Sequence, residues 1–389
     1  MTEMVYGAIP ASRGEPILPR WWRSVDKISI LCVLALFGIG LLLGLAASVP
    51  LAERNGLPAF YYVKRQLVFG GMSLVVMFAM TMLTPRQVRR LGVIGFLFAF
   101  VALAFLPLFG TDFGKGAVRW YSLGFGSFQP SEFIKPGFVV VTAWLLAASQ
   151  EIGGPPGRIY SFILAIMVSA LLVLQPDFGQ ASLMLFGWGV IYFVGGAPIM
   201  LLLALAAMAL FAGSLAYSNS DHFARRIDGF LSAEVDPNTQ LGYATNAIQE
   251  GGFFGVGVGE GQVKWSLPDA HTDFIIAVAA EEYGLILVLA ILGLYLTITL
   301  RSLMRLMKER DPFARLAGVG LVAMFAVQVL INTGVAVRLL PAKGMTLPFV
   351  SYGGSSIIAG GIALGMLFAL TRSRAQGALA DHFNRGSAQ

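Results

Sequence analysis

The sequence predicts an all-α, polytopic integral membrane protein with ten transmembrane helices, both termini cytoplasmic, and a large extracytoplasmic loop between helices 7 and 8. Three observations carry that expectation. Hydrophobic residues make up 57% of the 389-residue chain and charged residues only 12%, against roughly 25% charged in soluble domains. Mean hydropathy is +0.75. Ten apolar runs approach the length needed to cross a hydrocarbon core about 30 Å thick, and no polar block is large enough to fold alone. A water-soluble globular protein is thereby excluded. The single cysteine, Cys32, lies inside the first apolar run, so no intrachain disulfide and no CxxC site can form. None of the three histidines stands at ligand spacing from another His or Cys, which argues against structural zinc.

The first run, Ile28 to Val49, follows Arg20, Arg23 and Lys27 and imitates a signal peptide, but it exceeds the roughly 7 to 15 residues of an h-region. Further spans are expected at 65–83, 91–109, 132–149, 158–174, 180–196, 198–217, 274–300, 314–337 and 355–371. The stretch 180–217 is almost continuously apolar and is divided at Gly195-Gly196-Ala197-Pro198. Residues 1–27 then form an N-terminal cytoplasmic tail, 28–372 the membrane domain, and 373–389 a C-terminal cytoplasmic tail. Sixteen of the 27 Lys and Arg residues fall on the side of the N-terminus, with only seven of the 21 acidic residues. That bias puts both ends in the cytoplasm. The net charge of +6 is spread over short loops without a clustered patch, so nucleic-acid binding has no support. Two outer loops, 110–131 and 218–272, are long and rich in Gly, Trp, Arg and Asp, which points to function on the outer face.

Ionisable groups at membrane depth cost several kcal/mol and are functional candidates. Five clusters qualify. The first runs from Gly110-Thr111-Asp112 through Arg119-Trp120 to Gln129-Pro130-Ser131-Glu132, with Lys135 one helical turn beyond Glu132; an interfacial ion pair is the plain alternative. The second is Gln175-Pro176-Asp177-Phe178-Gly179, where Asp177 could simply cap a helix. The third joins Arg225-Arg226, Gln240 and the glycine-dense 251–261, whose backbone amides could approach an anion. It is neither a P-loop nor a dinucleotide fingerprint. The fourth is Pro268-Asp269-Ala270-His271-Thr272-Asp273-Phe274, ahead of the longest apolar helix with its Glu281-Glu282. Asp273 there suits a general base, and N-capping by Thr272 or Asp273 is the rival role. The fifth, Arg338 to Ser356, combines prolines, glycines, Lys343 and Ser351 in an irregular segment tolerated at membrane depth only along a cavity or groove.

These clusters, in this order on ten spans, resemble the SEDS family of bacterial cell-wall polymerases (shape, elongation, division and sporulation) from about Trp22 to Arg372. The resemblance rests on the Arg119-Trp120 to Gln-Pro-Ser-Glu stretch, Gln-Pro-Asp-Phe-Gly, Pro-Asp-Ala-His-Thr-Asp-Phe-Ile, and Lys-Gly-Met-Thr-Leu-Pro-Phe-Val-Ser-Tyr-Gly-Gly-Ser-Ser. Lys343 and the phrase Tyr61-Tyr62-Val63-Lys64-Arg65-Gln66 look more like the division members than the elongation members. The resemblance implies an inverting peptidoglycan glycosyltransferase that polymerises lipid II at the outer face of the bacterial cytoplasmic membrane, for septal synthesis. It assigns the catalytic carboxylate to Asp273 and substrate binding to Arg119, Gln129, Glu132, Lys135, Asp177, Arg226, Lys343 and Ser351. One departure is that a Gln-x-x-Gln pattern common in the family reads Gln240 and then Tyr243 here.

The chemistry needs one base and a way to stabilise the departing diphosphate. Arg119, Arg226, Lys343 or a divalent cation (Mg2+ or Mn2+) could supply that charge, and no organic cofactor is expected. Implied partners are lipid II, the lipid-linked nascent glycan, membrane lipids, a class B penicillin-binding protein acting as transpeptidase, and other division-complex membrane proteins. A lipid II flippase, an elongation-type polymerase and a pure scaffold are the competing functions.

Overall fold

The computed structural model describes residues 17–112, 118–124, 126–219, 228, 239–267, 269–341 and 344–373. Helix α1 (Ile17–Ser24) is followed by α2 (Lys27–Arg54), α3 (Tyr61–Thr81), α4 (Pro85–Phe109), a two-stranded antiparallel hairpin of β1 (Tyr121–Ser122) and β2 (Ser127–Phe128), then α5 (Pro130–Ala148), α6 (Gly157–Leu174), α7 (Phe178–Val194) and α8 (Ile199–Asn219). After these come α9 (Gln240–Gly251), α10 (Val263–Ser266), α11 (Ile275–Leu306), α12 (Pro312–Ala336) and α13 (Gly354–Leu370). Each apolar run expected from the sequence coincides with a helix, and the division at 195–198 falls between α7 and α8. Among the described residues, seven helices are long and apolar enough to cross a membrane: α2 to α6, α11 and α12. With the shorter apolar α7 and α13, they make this a multi-pass membrane protein.

Local chemistry sets the ends. Asp26 caps α2, Asp311 caps α12 with Pro312 following, and Thr84 with Gln87 forms a capping box on α4. Helices α5 and α12 are the most deeply buried spans, and α12 packs on α5, α7 and α11. Helix α13 lies along α3, where small residues let backbones meet: a Cβ on Gly361 would overlap the Ser73 carbonyl. Ser73 Oγ in turn donates to the Ile357 carbonyl at 2.5 Å.

At the end of the bundle holding α1, the helices are tied by charge. Arg301 grips Asp26 with two hydrogen bonds, 2.8 and 2.9 Å, and Arg305 adds a 3.5 Å ion pair. Arg372 donates to Ser24 Oγ and to the Thr81 carbonyl, and Trp21 donates to Thr81 Oγ1. The opposite end is irregular. There the hairpin, the 174–178 turn, the 267–274 turn and the 337–353 segment converge. Helices α5, α7 and α13 are only 19, 17 and 17 residues long, and all three begin at this end.

Candidate active site

A cavity of about 570 Å³ opens among those segments. Arg119, Gln129, Glu132, Asp177 and Asp273 all line it, so five of the nine expected site residues meet in one place although they span more than 150 positions of sequence. Gln129 precedes α5 and donates its backbone N–H to Ser355 Oγ at 3.1 Å, which ties the hairpin to α13. Trp120 Nε1 donates to Gln129 Oε1 at 3.2 Å. Arg119 donates to the carbonyls of Gln175 (3.2 Å) and Pro176 (2.8 Å) and so holds the 174–178 turn against the cavity.

Asp177 performs the plain role and lines the site as well. It caps α7, accepting from Gln180 N–H at 3.3 Å, and burial pushes its carboxyl above the ordinary value of 3.8, with the Arg119 charge opposing. The sequence-expected pair of Glu132 and Lys135 forms at 2.7 Å. Lys135, however, is buried behind Glu132 and does not line the cavity. It also donates to Gln328 Oε1 at 3.2 Å, and Gln328 donates to the Thr346 carbonyl. Lys135, expected from the sequence to bind substrate, stands one turn along α5 and points into the bundle, where it pairs with Glu132. The other Glu132 oxygen accepts from Gln180 Nε2 at 2.6 Å.

Asp273 sits in a turn whose origin is the carbonyl of Asp269, which accepts from the N–H groups of Thr272 (3.0 Å) and Asp273 (3.1 Å). Asp269 itself has φ +55, a left-handed conformation that Asp tolerates better than most residues. Asn332 donates from one amide to both the Asp273 carbonyl (2.9 Å) and the Met345 carbonyl (2.6 Å), joining this turn to the irregular segment. The capping role for Thr272 or Asp273 is not taken up: Phe274 is the N-cap of α11 and no side chain bonds there. Ser351, also expected to bind substrate, is held by backbone partners. It is 2% exposed and lies beneath the cavity wall, where its Oγ donates to the Thr272 carbonyl and accepts from Leu347 N–H. Arg226 and Lys343 lie outside the described residues.

The glycine-dense segment does something other than cradle an anion. Gly251, Gly255 and Gly284 approach so closely that a Cβ on any of them would overlap backbone of α11 or of the loop itself. The loop packs against a break in α11 at Gly284 rather than against the cavity. The span expected at 274–300 is present as α11, with a break at Gly284 added.

Two groups of residues were not assigned to the site from the sequence. Arg65 lines the cavity from α3, over the rings of Tyr61 and Phe69 at 5.6 Å each, and Asp269 and Tyr352 line it too. An arginine one turn inside an apolar helix was the available signal. Gln180, Gln328 and Asn332 were hidden as lone amides in apolar runs. Among the described residues no three His, Cys, Asp or Glu side chains gather closely enough to hold a metal ion.

Fold and site together define a multi-pass helical membrane protein with a polar, carboxylate-bearing cavity at one end of the bundle. Comparison with known proteins is specific. A sequence model of the FtsW/RodA/SpoVE family, described as "Cell cycle protein", matches residues 27–376. The chain is 40% identical to a "Probable peptidoglycan glycosyltransferase FtsW" of Caulobacter vibrioides, over 94% of this chain and 93% of that one. It is 32% identical to "Stage V sporulation protein E" of Bacillus subtilis, over 90% and 97%. Among solved structures, a chain of a peptidoglycan synthase complex that coordinates polymerization and crosslinking aligns with TM-score 0.74 and 30% identity, covering 90% of this chain and 98% of that one. The rod shape determining protein RodA of Thermus thermophilus aligns at 0.66, with 28% identity over 90% and 97%. The chain belongs to the FtsW/RodA/SpoVE family.

Proposed function

We propose that this chain is a peptidoglycan glycosyltransferase of the division type, polymerising lipid II at the outer face of the cytoplasmic membrane beside a class B penicillin-binding protein. The relatives named for that activity support the reaction, and the higher-identity match to the division protein supports the septal role. The observation that carries the mechanism is the convergence on one cavity of Asp273 and the N-terminal ends of α5, α7 and α13.

A helix N-terminus presents unsatisfied N–H groups and a partial positive charge of roughly half an elementary unit, which favours an anionic ligand. The ends of α5 and α13, which no side chain caps, together with the Arg119 and Arg65 guanidiniums, suit a diphosphate, whereas α7 is already capped by Asp177. Asp273 takes the proton of the acceptor sugar hydroxyl as its oxygen attacks the donor's anomeric carbon. The new glycosidic bond forms, the bond to the diphosphate breaks with inversion, and the leaving group departs as an anion that needs positive charge more than a proton. No second catalytic carboxylate is required, unlike in glycoside hydrolysis. Glu132, bonded to Lys135 and Gln180, fixes the floor of the cavity.

Ten spans with both termini in the cytoplasm turn the cavity outward. The short helices α5, α7 and α13 recess its floor below the outer surface, within reach of sugars whose isoprenoid tails stay in lipid. Reconstitution with labelled lipid II and the partner transpeptidase tests the reading. Asp273→Asn is expected to cut polymerisation by about 10² to 10⁴. Native-rate polymer from that variant overturns the base assignment, and translocation of lipid II without polymer by the unmodified protein favours a flippase.

A further inference from the structure

One buried charged pair lies outside the cavity. Lys264 on α10 is 6% exposed and Glu282 on α11 is 1% exposed. Lys264 Nζ donates to Glu282 Oε1 at 2.5 Å and to the Gly259 carbonyl at 3.0 Å. Two residues after Glu282, α11 breaks at Gly284, with φ +76 and ψ −176. A broken helix strands backbone groups on both sides of the break, and the glycine-dense loop takes them up. Leu285 N–H donates to the Gly252 carbonyl (3.0 Å) and Ile286 N–H to that of Phe253 (3.4 Å), while the carbonyls of Glu281 and Glu282 accept from Val256 (2.8 Å) and Gly257 (3.2 Å). Lys264 closes this clasp.

A buried ion pair is a weak way to gain stability, since apolar residues of similar volume often do as well. Its particular property is direction, because an ammonium and a carboxylate fix the two chain positions that carry them. Those positions are 18 apart, and Asp273 lies midway between them. The chain from Lys264 to Glu282 is therefore a loop pinned at both ends, with the Asp269–Asp273 turn at its crest and the buried residues Phe274–Glu282 as its descending limb. We infer that the Lys264–Glu282 pair is a positioning device for the catalytic turn: it sets where Asp273 stands in the cavity without touching substrate. The inference rests on the reading of Asp273 as general base.

The test is a double variant, Lys264→Met with Glu282→Leu, which keeps the buried volume and leaves no lone charge. With lipid II as substrate and the partner present, kcat is expected to fall about tenfold to 10²-fold, the effect of a misplacement of about 1 Å. KM is expected to stay within about twofold, because binding groups are untouched. Lys264→Arg, which preserves the cation, should recover most of kcat. Native kcat in the double variant, or a raised KM with unchanged kcat, overturns the inference. If the double variant does not fold, Glu282→Asp, which withdraws the carboxylate by one methylene, replaces it: selective loss of kcat supports the device and unchanged kcat refutes it. Asp273→Asn assayed in parallel separates the two readings. If that variant is active, the base assignment fails. If it is inactive while the pair variant is native-like, only the positioning role fails.

Discussion

Ser351 shows what a single hydroxyl can do beneath a site. It accepts from Leu347 N–H and donates to the Thr272 carbonyl, so it joins the irregular segment to the residue next to Asp273. Ser351→Ala would leave a buried donor and a buried acceptor without that partner, at about 1–3 kcal/mol. We expect a lower unfolding temperature for the purified protein and slower glycan synthesis, with lipid II binding retained. Loss of binding alone would return Ser351 to the substrate-contacting role expected from the sequence. The same contrast explains which residues were legible. Arg119, Glu132, Asp177 and Asp273 stood out because charges beside apolar runs are rare and need a reason. Arg65 and Gln180 did not, since each is one polar side chain in a helix whose surroundings are supplied by segments far away in sequence. Lys135 and Ser351 were legible as candidates, but spacing does not reveal whether a side chain one turn along faces the cavity or the bundle.

Helix α11 carries the element-scale lesson. Its residues from 274 to 300 read as one apolar run, and glycine is common enough in membrane helices that Gly284 gave no sign of a break. The break depends on partners from elsewhere in the chain, the glycine-dense loop, which stands out in the sequence, and Lys264, which does not. At φ +76 and ψ −176, Gly284 occupies a region open essentially to glycine alone, and an added Cβ would overlap the Phe253 carbonyl. Strain of about 1–3 kcal/mol then comes on top of the steric conflict. Gly284→Ala is expected to lower folded yield and thermal stability sharply, whereas an alanine at exposed Gly293 of the same helix, where nothing lies within 4 Å, is expected to be silent. Equal stability of the two variants, measured by thermal unfolding in detergent, would mean that the loop and helix do not meet as described.

At the scale of the whole molecule, the proposed orientation follows from charge and is supported by where the two kinds of chemistry sit. The end that holds α1 is fastened by Arg301, Arg305 and Arg372, the residues that the cytoplasmic bias of Lys and Arg would keep inside, while the cavity lies at the other end. Two exposed positions report on this directly: Asp112, beyond α4 on the cavity side, and Arg310, between α11 and α12 on the fastened side. The only native cysteine, Cys32, is 7% exposed and provides a silent background. With a membrane-impermeant maleimide on intact spheroplasts, Asp112→Cys is expected to label and Arg310→Cys to label only after permeabilisation. The reverse pattern would put the carboxylate cavity in the cytoplasm, where it could not act on lipid II already delivered to the outer leaflet. Labelling of both positions before permeabilisation would place the ends of α4 and α11 on the same side and so overturn the proposed set of spans between them.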